Sequence, residues 1–115
     1  MKKLIQQVNE AAQTNQAEMA IKGIEAVTSV RGARVESFDV DGDTIYLDVE
    51  FDFPEHLVKA AEVKAAGAPA IKKVTVQKSD MWRQGMYGVS YTITLSQDLD
   101  ATGEKSLKSK VKVER

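Results

Sequence analysis

The sequence predicts an α+β fold: a two-layer sandwich in which two helices cover one face of an antiparallel sheet, in the order α-β-β-α-β-β-β. Three observations carry that expectation. Within residues 2–30, Ala17, Ile21, Ile24 and Val27 recur at the spacing of one helix face. Residues 44–52 alternate strictly, with Ile45, Leu47, Val49 and Phe51 on one side and Thr44, Tyr46, Asp48, Glu50 and Asp52 on the other. Val89, Tyr91, Ile93 and Leu95 alternate in the same way with Ser90, Thr92, Thr94 and Ser96. Strands dry on one side and wet on the other belong to an antiparallel sheet covered on one face.

The first helix is expected in two pieces. Leu4, Val8 and Ala11 or Ala12 keep helical spacing, the polar "QTNQ" interrupts it, and Asn15 with Glu18 resembles a capping box, so a break falls near Thr14. Residues 1–14 then form a thinly apolar piece, separate and loosely held. Gly32 opens a strand over 33–40, and Asp41-Gly42 suits a type I′ turn into the next strand. Pro54 begins the second helix, where its missing N–H costs nothing; Leu57, Val58, Ala61 and Ala65 form the inner stripe, and Gly67 and Pro69 end it. Ile71, Val74 and Val76 start a third strand. "SQDLDATGEK" reads as a loop. Leu107, Val111 and Val113, alternating with Lys108, Lys110 and Lys112, read as a fifth strand whose lysines protect a sheet edge. With no repeat and no linker, residues 1–115 form one domain.

The 115 residues are 43% hydrophobic and 29% charged, the balance of a folded globular chain. A net charge of −1 supplies no global field for nucleic acid, and Lys72, Lys73 and Lys78 beside the terminal lysines do not replace one. The absence of cysteine removes disulfides, thiolate catalysis and Cys-based zinc sites. In "MKKLIQQVNEAAQ" the apolar run stops after Leu4 and Ile5, so neither a signal peptide nor a membrane span is expected. The chain as it stands reads as cytoplasmic, or periplasmic if it is one domain of an envelope protein. Membrane contact would then come only through an anchor elsewhere or through weak lipid binding.

Candidate chemistry is sparse. In "DVDGDTIYLDVE", Asp39, Asp41, Asp43 and Glu50 occupy EF-hand ligand positions, but the required glycine is Thr44 and the segment alternates as a strand, so a hairpin explains the same letters. "DLDATG" lacks a carboxylate at its twelfth position and reads as turn chemistry. The sole histidine, His56, is expected in solvent at a helix start. No G-x-S-x-G, G-x-G-x-x-G or P-loop occurs. The expectation is no enzyme, no cofactor and no metal.

What stands out is "SDMWRQGMYGVSY", residues 79–91, which holds the only tryptophan at a hairpin tip. Trp, Tyr, Met and Arg are enriched in protein contacts, so Met81, Trp82, Arg83, Met86 and Tyr87 form a candidate adhesive tip, with Tyr46 a further member. The bland alternative folds Trp82 and Met86 back onto a helix end and leaves Tyr87 and Tyr91 to the strand. The two differ in whether Trp82 is wet.

The stretch Ile24–Leu95 resembles the small soluble domain of the inner-membrane platform proteins of type IV pilus assembly and type II secretion. The resemblance lies in "GARVESFDVDGDTIYLDVEFDFPEHLVKAAEVKAAG", with "IKKVTVQKS" and "YGVSYTITLS" as the closing hairpin. It implies a ferredoxin-like variant and a role in a multiprotein assembly. "VDGDTIYLDVEFDFPEHLVKAAEVKAAGAPAIKKVTV" also resembles BON domains, which implies envelope or lipid binding. A small phage or mobile-element protein that blocks a host factor is a third reading. The expectation is a non-enzymatic interaction module that homodimerises or docks on a protein partner, by sheet-face or edge pairing together with the tip.

Overall fold

The computed structural model describes residues 16–111 and 113. Expectations for residues 1–14, for the cap at Asn15 and for Lys112 lie outside the described residues. The elements are helix α1 (residues 16–28), strands β1 (Arg34–Asp41) and β2 (Thr44–Phe51), helix α2 (Ala60–Ala66), strands β3 (Ile71–Lys78) and β4 (Tyr87–Leu95), and helix α3 (Ala101–Lys110). Short 3-10 turns precede α2 (Pro54–His56) and β4 (Trp82–Gln84).

The four strands form one antiparallel sheet in the order β1-β2-β4-β3. Strands β2 and β3 therefore run in the same direction with β4 between them, and α2 lies on the crossover, a split β-α-β unit. The architecture is the two-layer α+β sandwich that the alternation predicts. Its dry face carries Ile45, Leu47, Val49 and Phe51 of β2 against Ile93, Tyr91, Val89 and Tyr87 of β4. Ala17, Ala20, Ile21, Ile24 and Val27 of α1 pack onto that face, as the helical spacing requires. Gln16, the one buried polar residue among those described, donates its amide N–H to the Gln97 carbonyl at 2.6 Å and so ties α1 to the loop after β4.

Three expectations are corrected. The fifth strand is a helix, α3, so among the described residues three helices rather than two accompany the sheet. Asp100 caps it, its Oδ1 accepting from the Gly103 N–H at 2.7 Å. Leu99, Gly103, Leu107 and Val111, four residues apart, turn inward. Lys108 and Lys110 are exposed on a helix and guard no sheet edge. The second helix is also not continuous from Pro54. A 3-10 turn, a break over 57–59 and then α2 replace it, and Val58 and Val63 are the buried residues while Ala61 and Ala65 face out. Alanine pays little for either environment, so valine decides the face. Finally, Asp41 pairs with Thr44, which makes Gly42-Asp43 the two-residue turn. Only Gly42 has positive φ, 61°, the pattern of a type II′ turn rather than I′.

Candidate interaction surfaces

Beyond β3 the chain turns through Ser79–Met86. Its 3-10 turn is held by the Trp82 N–H donating to the Ser79 carbonyl and the Gln84 N–H to the Met81 carbonyl, 3.1 and 2.9 Å. Gly85 closes it at φ 86°, the left-handed conformation glycine adopts without a Cβ clash. Trp82 does not stand free. It is half-buried against the core, meets Tyr87 edge to face at 5.1 Å between ring centroids, and carries the Lys78 Nζ 4.8 Å above its ring. The indole is thus neither sealed in nor fully wet.

Its neighbours are open. Met81 is 43% exposed and Met86 46%. Arg83 belongs to the same turn, and its side chain lies outside the described residues. Phe51 pairs with Tyr87, so the chain leaving β2 passes this end of the sheet, and Phe53 there is 57% exposed. Phe53 is a residue that sequence reasoning missed, because the change of direction at the end of β2 is not visible in alternation. Its ring meets His56 edge to face, centroids 5.4 Å apart. His56, expected in solvent, is half-buried, with a buried Nδ1 that has no hydrogen-bond partner.

Five of the six candidate residues therefore gather at one end of the sheet. Tyr46 does not join them. It lies on the opposite sheet face, five residues before the end of β2, and is 47% exposed.

Among the described residues, no helix lies over that opposite face. The register sets out its rows across β1, β2, β4 and β3: Asp41, Thr44, Thr94, Lys73; then Asp39, Tyr46, Thr92, Thr75; then Ser37, Asp48, Ser90, Gln77; then Arg34, Glu50, Gly88. Arg34 forks onto Glu50 at 2.5 Å and Asp52 at 3.0 Å, and these two partners raise its already high pKa, Glu50 first. Ser37 Oγ donates to Asp48 Oδ2 at 2.6 Å. The EF-hand-spaced carboxylates Asp39, Asp41, Asp43 and Glu50 are strung along this hairpin and its turn rather than around a helix-flanked loop.

A cleft of about 220 Å³ lies between α1, β1 and the end of α3; aliphatic side chains share its walls with Thr28 and the charged Glu25 and Lys110. Among the described residues, no three His, Asp or Glu side chains are placed to hold a metal ion, and no helix is long and apolar enough to cross a membrane. None of the protein families, curated proteins or solved structures compared with the chain matches it.

Proposed function

We propose that the chain is a non-enzymatic interaction module that binds a protein partner through the hairpin tip between β3 and β4. The observation that carries this reading is the pairing of a fixed platform with an open rim. Trp82 and Tyr87 are anchored on the core, while Met81, Met86 and the neighbouring Phe53 stay exposed around that end of the sheet. A rigid aromatic base costs little entropy when a partner docks, and the two thioethers adapt to its contour. Single exposed apolar residues mean little, but several of the contact-prone types at one end of a small fold make a patch. The resemblance to pilus and secretion platform domains fits such a role, in which the module would hold a place within an assembly.

The test is selection from a displayed peptide library on the wild-type chain and on Met81→Ser/Met86→Ser. Ligands enriched by the wild type and lost with the double variant support the tip. Equal enrichment on both chains would move the binding site elsewhere.

A further inference from the structure

We propose that the sheet face turned away from α1 seats a second copy of this chain, related by a two-fold axis running along the strands between β2 and β4. This rests on reading the chain as an interaction module, but it uses the face opposite the helices rather than the tip.

Charge on that face is divided. The β1–β2 half carries Asp39, Asp41, Asp48 and Glu50, and its one cation, Arg34, is already engaged by Glu50 and Asp52. The β4–β3 half carries Lys73, with the exposed Lys72 beside it, and no acid. On the inner strands β2 and β4 the face carries Thr44, Tyr46, Ser90, Thr92 and Thr94, with the acids Asp48 and Glu50 toward one end.

A two-fold axis along the strands lays β1 of each copy over β3 of the other and β2 over β4. Each row then meets its own mirror order. Asp41 falls over Lys73 of the second copy, and the same pair repeats on the far side of the axis. Tyr46 falls over Thr92, Asp48 over the Ser90 hydroxyl, and Glu50 over Gly88, which has no side chain to clash. An axis running across the strands would instead stack the acidic half on itself. Edge-to-edge pairing is interrupted at both edges, by the irregularity between Val35 and Ser37 in β1 and that between Ile71 and Lys73 in β3. Four strands about 4.8 Å apart and about eight residues long present roughly 500 Å² per copy, the lower end of specific interfaces.

Sedimentation equilibrium of the full chain tests this. The wild type is expected as a dimer in a micromolar concentration series. Asp41→Lys and Lys73→Glu should each weaken association about tenfold or more, and the combined swap should restore most of it, which also shows that the single variants were not merely misfolded. The chain has no cysteine, so Asp41→Cys and Lys73→Cys chains can be mixed with a short bismaleimide. Links between the two variants are expected, and dominant self-linking of Asp41→Cys overturns the axis. A wild type that stays monomeric, or single variants that associate like the wild type, overturns the proposal. Met81→Ser/Met86→Ser should remain dimeric. If it alone dissociates, copies meet through the tip, and the face proposal falls while the tip reading stands.

Discussion

Trp82, inside the turn that joins β3 to β4, and Tyr87, the first residue of β4, set their rings edge to face at 5.1 Å with an interplanar angle of 74°. The pair makes the tip part of the fold as well as a surface. Trp82→Ala is therefore expected to cost about 2 kcal/mol of stability, from lost burial and the lost aromatic pair, rather than to leave folding almost untouched. Met81→Ser/Met86→Ser should change stability by less than about 0.5 kcal/mol, as exposed positions do. Urea titration of the two variants separates anchor from rim.

Tyr91 is 1% exposed in the middle of β4, and its hydroxyl donates to the Val58 carbonyl at 2.7 Å. Tyr91→Phe leaves that carbonyl unpaired and should cost about 1–3 kcal/mol by denaturant unfolding.

Burial pushes the Tyr91 pKa up to about 12, and the negative charge of Glu62 adds to the rise. The folded chain then holds this proton where the unfolded chain has lost it. Its contribution is fully present below about pH 10 and declines between about pH 10 and 12, by on the order of 2 kcal/mol. Tyr91→Phe should lack that alkaline decline, which a pH series of unfolding midpoints would show.

Gly32 has φ 85°, and a Cβ added there would come within 3.2 Å of the Asp52 Cβ, closer still to its carboxylate. Gly32→Ala should cost about 1–3 kcal/mol through left-handed strain. It should also disturb the Asp52 carboxylate that Arg34 engages. Thermal unfolding beside Arg34→Ala tests whether the two changes share that cause, in which case they are not additive.

Asp100→Ala removes the cap of α3 and should cost about 1 kcal/mol. Leu107, fully buried on the inner side of the same helix, should cost about 2–5 kcal/mol as Leu107→Ala.

The sheet was legible because its central strands obey a period of two without exception. Tyr46 and Tyr91 fall on the faces that alternation assigns them. Helix α1 was legible because four apolar residues, Ala17, Ile21, Ile24 and Val27, mark one stripe. The last element was not, because Lys108, Lys110 and Lys112 imitate strand alternation over the same residues in which Leu99, Gly103, Leu107 and Val111 keep helical spacing. A glycine on the buried stripe weakens the apolar signal further, and the Asp100 cap was the cue that outweighed it. At the tip, composition singled out the segment, but the state of Trp82 depends on tertiary placement. Lys78 and Tyr87 come to the indole from two strands, and no local pattern reports that meeting.

Because Trp82 is the sole tryptophan, its emission reports on the tip alone. Acrylamide quenching of the free chain and of its complex with a peptide selected from the library tests the central claim most directly. A ligand seated on the tip predicts a partly accessible indole that becomes protected in the complex. Unchanged quenching with the peptide bound would place the contact elsewhere and contradict the account.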